Sequence, residues 1–407
     1  MLLLSRATHN IRMKMLCSDP PSSAEIVAGN EDLLTEILLR LPPKPLVRFR
    51  SVSKYWCSLI SSPRFCDRHA RLSPTPKISG IFFRKSAADF HFLSLNSDNL
   101  SSNPFIFLDF AQDPAGIRIL QSCNGLLLCS SFYKIGFTRD YYVYNPTTYR
   151  FSTIPPITGD VSAVVSGFNL AFEPSKSPYY NLICVRSAAG SVRHHQIETY
   201  SSETGDWKLC GSPFVAPFDM VFNNGVFCNG SIHWISPSGS LMYFDVSNER
   251  IGMLPTVPIV QQQGTRRFRY FGESGGHLHL IEIYGPRATQ FKVLEMEKDY
   301  SKWVARYQID LNSLVSAYPE MVQNYLDPHD SCYYAFIILF LIREEKEEDS
   351  SLLLHIPDKI ISYNIRKKTF RELCHLSGNS SINGKGRHSM QFGWLDAYQY
   401  FESLACP

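Results

Sequence analysis

The sequence predicts a mainly β protein: a short N-terminal module of three helices, then a large antiparallel β domain, an irregular propeller of six or seven blades. Three observations carry this. Between residues 30 and 65 apolar residues recur at helical spacing, and from Ile78 onward the period becomes that of strands. The pairs Asn124-Gly125, Asn224-Gly225, Asn229-Gly230, Gly275-Gly276 and Asn383-Gly384 punctuate the second region, and such pairs tolerate the positive φ angles of tight hairpins. Finally, a loose unit repeats, in which an apolar strand ends on an aromatic residue or leucine, followed by a polar turn and another apolar strand. With Tyr144, Tyr200, Phe244, Leu294 and Tyr363 equivalent, the intervals are 56, 44, 50 and 69 residues. Four-stranded blades repeat at ~40–50 residues. An open sandwich is the alternative the same strands permit.

In the first helix Leu34, Ile37, Leu38 and Leu41 fall at i, i+3, i+4 and i+7, and Leu33 widens the stripe. Asn30 is the expected N-cap, Glu31 and Asp32 suit the positive end of the helix dipole, and Arg40 suits the other end. Pro42 and Pro43 stop this helix, because proline lacks a donor and clashes with the preceding turn. Pro45 is expected to open the second helix, which carries Leu46, Val47 and Phe49. Ser51 or Ser53 can cap a third, where Trp56, Leu59 and Ile60 share a face. So short a segment is below the size at which a lone core is stable, so its apolar faces read as half of an interface.

In the β region, residues 125–130, 141–144, 182–185, 231–235, 241–246, 277–283, 291–296 and 360–365 are short and rich in β-branched and aromatic side chains. Residues 335–342, AFIILFLI, are too few to span a bilayer and suit a buried strand. The acidic run at 343–351 reads as a solvated loop inside the longest interval, and residues 311–317 offer the one possible helix. Gly272-Glu273-Ser274-Gly275-Gly276 lacks the lysine and helix of a phosphate loop and reads as a turn.

The helical segment resembles the F-box motif, most of all its plant version. The matching residues are Asp32-Leu33-Leu34, Ile37-Leu38, Leu41-Pro42, Lys44, Leu46-Val47-Arg48-Phe49-Arg50, Val52, Lys54, Trp56, Leu59-Ile60-Ser61-Ser62-Pro63 and Phe65. Gly29-Asn30 stand where that family usually has a Leu-Pro pair. The β region resembles the F-box-associated domain of plant F-box proteins, similar to kelch-like propellers, although regular kelch signatures are absent. Ser122-Cys123-Asn124-Gly125-Leu126-Leu127-Leu128 and Tyr144-Asn145-Pro146-Thr147-Thr148 resemble its opening hallmarks, and Tyr400-Phe401-Glu402-Ser403-Leu404 its closing segment. The implied division is a leader at 1–28, an F-box at 29–72 and an F-box-associated domain at 78–407. The resemblance implies docking on the Skp-type adaptor of a cullin ubiquitin ligase through Leu33, Leu34, Ile37, Leu38, Leu41, Pro42, Leu46, Val47, Phe49, Val52, Trp56 and Ile60. It also implies that the β domain recruits an unidentified target protein for ubiquitination, with no cofactor and no catalysis of its own.

Composition narrows the classes. Net charge is +3, which gives no global case for nucleic acid, but residues 31–72 hold eight basic side chains against four acidic ones. That local excess suits an acidic partner and salt-sensitive association. Eleven cysteines without a CxxC pair read as free thiols in a reducing compartment, cytoplasmic or nuclear. Residues 1–16 carry Arg6, Arg12 and Lys14 and no acid; they read as a disordered leader, with an organellar signal or a start at Met13 or Met15 as alternatives. No membrane segment is expected. His277 and His279 alternate on a strand and share a face, but a metal site needs a third ligand that the sequence does not name, so no metal is expected. Arg266-Arg267-Phe268-Arg269-Tyr270 interleaves basic and aromatic residues, a weak nucleic-acid footprint that suits a protein contact better. Two other classes remain open: an interaction scaffold using the helices as a bracket, and a propeller-type enzyme or glycan binder.

Overall fold

The computed structural model describes residues 29–72, 77–84, 90–95, 116–132, 139–157, 164–188, 193–257, 266–285, 289–330, 332–376 and 393–407. The expected leader and the Asn383-Gly384 pair lie outside them. The N-terminal module holds four helices, one more than the periodicity indicated: α1 (Glu31–Leu38), α2 (Pro43–Phe49), α3 (Lys54–Ser61) and α4 (Pro63–Leu72). Asn30 caps α1 by accepting from the Leu33 amide at 3.0 Å, and Ser53, rather than Ser51, caps α3 by accepting from Trp56 at 3.1 Å. Helix α1 ends at Leu38, so Arg40 and Leu41 lie in the following turn. Pro43, not Pro45, opens α2; both sit in the first turn, where a missing amide costs nothing. Ser62 makes the fourth helix: its hydroxyl donates to the Leu59 carbonyl and accepts from the Phe65 amide, closing α3 and opening α4.

The β domain is a propeller of six sheets. The first contains β1 (Ile78–Arg84) and β2 (Phe90–Ser94). The second is β3 (Ile117–Cys123), β4 (Leu126–Ser131), β5 (Tyr141–Asn145) and β6 (Arg150–Ile154), and the third β7 (Val165–Ala171), β8 (Asn181–Ser187), β9 (His194–Ser201) and β10 (Trp207–Val215). The fourth is β11 (Val226–Cys228), β12 (Ser231–Ile235), β13 (Leu241–Asp245) and β14 (Arg250–Met253). The fifth is β15 (Arg266–Ser274), β16 (His277–Tyr284), β17 (Gln290–Met296) and β18 (Trp303–Asp310), and the sixth β19 (Ile337–Ile342), β20 (Ser351–Ile356), β21 (Lys359–Asn364) and β22 (Phe370–His375). Last, β23 (Ala397–Phe401) returns to pair with β1, so the order β2-β1-β23 closes the ring with the end of the chain. Every strand segment anticipated from the sequence falls in a strand here, and each of Tyr144, Tyr200, Phe244, Leu294 and Tyr363 sits in the third strand of its blade.

The hairpin pairs Asn124-Gly125, Asn229-Gly230 and Gly275-Gly276 all have positive φ and join the first and second strands of their blades. Asn224-Gly225 does not: it ends a 3-10 turn (Phe222–Asn224) with Gly225 at φ −67, where a Cβ would lie 2.3 Å from Asn169 Oδ1. The extra length of the sixth repeat lies mainly in residues 311–336, which include helix α5 (Asn312–Ala317), rather than in the acidic loop alone.

The core is a set of wedges, each filled by two adjacent blades; Tyr270, Ile281 and Val293 meet Ile338, Leu352 and Tyr363 in one of them. Each blade's inner strand is a sheet edge with backbone groups that need partners. Side chains of the neighbouring blade supply them: Gln121 accepts from the Leu170 amide at 2.7 Å, and Ser274 from the Arg343 amide at 2.8 Å.

The three segments resembling family hallmarks converge where the ring closes. Ser122 donates to the Gln399 carbonyl. Asn145, fully buried, donates to the carbonyls of Ser403 (3.1 Å) and Ala405 (2.7 Å) and accepts from the Thr147 amide (2.8 Å). Thr147 in turn accepts from the Ser403 amide at 3.1 Å and pairs with the Tyr400 hydroxyl at 3.0 Å. Gly125 is required twice, for its φ of +93 and because a Cβ there would lie 2.4 Å from the Ser403 Cβ.

Asn145→Ala orphans several buried backbone groups, each worth roughly 1–3 kcal/mol, and the expected outcome is a clear fall in the urea midpoint with an unchanged far-UV spectrum. A second expectation concerns acid. His233 is fully buried, accepts from Tyr300 at Nε2 and donates from Nδ1 to the Val226 carbonyl, and burial pushes its pKa down to about 4. Because the folded value lies below the unfolded one, this residue's contribution to stability is constant above about pH 7 and is lost as pH drops from 6.5 towards 4. Near pH 5 the loss from this residue is ~2 kcal/mol, and His233→Asn is expected to flatten that part of a urea-unfolding pH series.

Candidate docking surfaces

Helix α1 carries more apolar surface than one core can use. Leu34 and Leu38 point inward and are buried, whereas Leu33 and Ile37, one residue back on the helix, are each 48% exposed. The stripe covers two faces: one closes the module, the other is free. The same division runs through the twelve candidate residues. Leu34, Leu38, Leu46 and Ile60 form the module's own core; Leu41, Val47, Phe49 and Trp56 are half-buried at its margin; Leu33, Ile37, Pro42 and Val52 are exposed. Phe49 and Trp56 meet edge to face at 5.7 Å. Tyr55, also exposed, stands beside the start of α1, where desolvation and the charges of Glu31 and Asp32 push its phenol up.

The module does not stand apart from the propeller. Leu404, from the chain end beyond β23, is buried among Leu34, Leu38, Leu46, Ile60 and Phe65. Lys44 pairs with Glu402 at 3.1 Å and lies over the Tyr400 ring. His69, buried in α4, bonds the Leu41 carbonyl at 2.8 Å. The helical core is therefore completed by a residue some 340 positions away, which no local pattern in α1 to α4 discloses.

Strand order fixes the two faces of the propeller. With sequential antiparallel strands, the first-to-second and third-to-fourth loops share one face, and β23 delivers residues 402–407 and the helical module to it. The opposite face carries the connections between blades. There Val215, Phe218 and Val221 are exposed, Phe218 at 99%.

The residues tested for chemistry have structural roles. His277 and His279 do share a face, and both close on Glu295, at 3.5 and 3.0 Å, with Arg343 at 3.0 Å completing the cluster. Burial opposes ionisation of Glu295, but the bond from His279 and the nearby charges outweigh it and hold its carboxyl low; burial keeps both histidines low. No group of three or more His, Cys, Asp or Glu suited to a metal occurs among the described residues. In the 266–270 run, Arg269 pairs with Glu282 and caps the Pro237 carbonyl while Tyr270 is core, so these two are internal rather than a contact surface. Gly272, Glu273 and Ser274 belong to β15, not to a turn, and Glu273 is thereby a half-buried, desolvated carboxyl that the sequence reading passed over.

Two family models match the chain: the F-box domain over residues 30–68 and the F-box associated beta propeller domain over 93–347. An F-box protein of Arabidopsis thaliana is 34% identical over 425 aligned positions, covering 98% of each chain. F-box only protein 8 of the same plant is 29% identical over 55% of this chain and 78% of its own. An Arabidopsis F-box/kelch-repeat protein is 26% identical over 67% of this chain and 70% of its own.

Leu404→Ala is expected to loosen the helices selectively: ~2–5 kcal/mol is lost from the site, read as faster amide exchange in α1 to α4 with the blades unchanged.

Proposed function

Because this chain belongs to the F-box proteins that carry an F-box associated beta propeller domain, we propose that it is the substrate-recognition subunit of a Skp–cullin–F-box ubiquitin ligase. The observation that carries the reading is the two-faced α1 helix. Leu33 and Ile37 form an apolar edge on a module whose interior is already filled, and their burial against an adaptor groove would contribute about 1 kcal/mol each. Pro42, Val47, Phe49, Val52 and Trp56 extend the edge, and the excess of basic over acidic side chains in residues 31–72 suits an acidic adaptor. Asn30 caps α1 without the family's usual Leu-Pro pair, so the helix start is preserved despite that departure.

The propeller holds the target on the face away from the helices, where Val215, Phe218 and Val221 offer an exposed apolar anchor. Transfer of ubiquitin is carried out by the attached enzymes, and this chain contributes proximity rather than catalysis. It works in the cytoplasm, the nucleus or both, as its free cysteines suit; no helix among the described residues is long and apolar enough to cross a membrane.

The test separates surface from core. Leu33→Glu with Ile37→Glu should abolish co-purification with the adaptor while leaving the thermal midpoint unchanged. Leu38→Ala should lower the midpoint as well, because Leu38 is buried. Full adaptor binding by the double glutamate variant would support the scaffold reading instead. Phe218→Asp should leave adaptor binding intact and lose the target, read by comparing proteins captured with each variant.

A further inference from the structure

Where the propeller's axial channel opens towards the helices there is a cavity of about 540 Å³, walled by the upper face of the blades, α4 and residues 402–407. Ligand sites commonly measure ~300–1,000 Å³ and lie at domain junctions. Its sides are aromatic, with Phe172, Tyr180, Tyr200 and Phe227 in the lining. Four acids also line it. Three of these have cationic partners: Asp67 with Arg71 at 3.0 Å, Glu173 with Lys176 at 3.0 Å and Glu402 with Lys44 at 3.1 Å. The fourth, Glu273, accepts the Gly276 amide at 2.7 Å and has no cationic partner among the described residues. Burial pushes its carboxyl up to about 6, so near neutral pH it is an ionised group with nothing of opposite charge to offset its desolvation. The one imidazole among the described lining residues, that of His69, is occupied by the Leu41 carbonyl.

We propose that this cavity binds a small organic cation, an amine whose ammonium pairs with the Glu273 carboxylate while its apolar body lies against the half-buried Phe227. The carboxylate supplies a charge-assisted hydrogen bond, and the Phe227 ring packs the body and favours the nearby cation. Because helices, chain end and blades all contribute walls, an occupant ties the helical module to the propeller. This inference does not depend on the ligase reading.

The probe is tryptamine, titrated by calorimetry into the full-length protein, with 3-methylindole and indole-3-acetate as neutral and anionic counterparts. The expected result is one site, with tryptamine at least ~10-fold tighter than either counterpart. Glu273→Gln should bring tryptamine down to the level of 3-methylindole. Ala70→Phe, which fills the cavity from α4 and leaves Glu273 in place, should abolish binding. Equal binding of the three probes, absence of tryptamine binding at millimolar concentration, or retained binding in either variant would overturn the proposal.

Discussion

The amide of Asn145 holds the end of the chain. Its two donors grip the carbonyls of Ser403 and Ala405, and everything above and below depends on where that segment lies. On one side, β23 can close the ring only if it is drawn against β1 and β3. On the other, Leu404 can fill the helical core only if the chain leaves β23 in the direction that Asn145, Thr147 and Gly125 impose. A propeller opened at this point would lose a blade, and the helices would lose the residue that completes them. The two modules are thus mechanically one body with two surfaces.

That coupling resolves the surplus of leucine and isoleucine near the N-terminus. A module of four short helices is too small to bury every apolar residue it carries, and Leu404 satisfies only the inward half. The outward half, Leu33 and Ile37, is left where a second protein can use it. The distinction matters for reading any substitution here, since Leu38 is buried in the module and Leu33 is exposed at its surface.

Burial has a second consequence at the channel mouth. Several charged groups inside the propeller are compensated: Glu295 by Arg343, with a hydrogen bond from His279, and Glu282 by Arg269. Among the described residues Glu273 has no such partner: burial pushes its carboxyl up, and one backbone amide beside the cavity only partly offsets this. Such a group is costly unless something arrives to offset it, and its position between the modules makes the occupant of that cavity a candidate link between them.

Local pattern determined the change from helices to strands, the cap at Asn30 and the strands themselves, because each depends on neighbours within a few residues, whereas the choice of Ser53 over Ser51 came from the structure. The repeat of Tyr144, Tyr200, Phe244, Leu294 and Tyr363 located the third strand of five blades for the same reason: a blade is a local unit. Even α4 was legible in principle, since Ser62-Pro63 is a cap followed by a first-turn proline. What only the tertiary structure decided is which of two adjacent stripes on α1 faces inward, how many blades close the ring, and that Glu273 ends a strand beside a cavity with no cationic partner among the described residues. Each of these turns on contacts between residues hundreds of positions apart, Leu34 with Leu404 or Gly125 with Ser403, and spacing along the chain carries no record of such meetings.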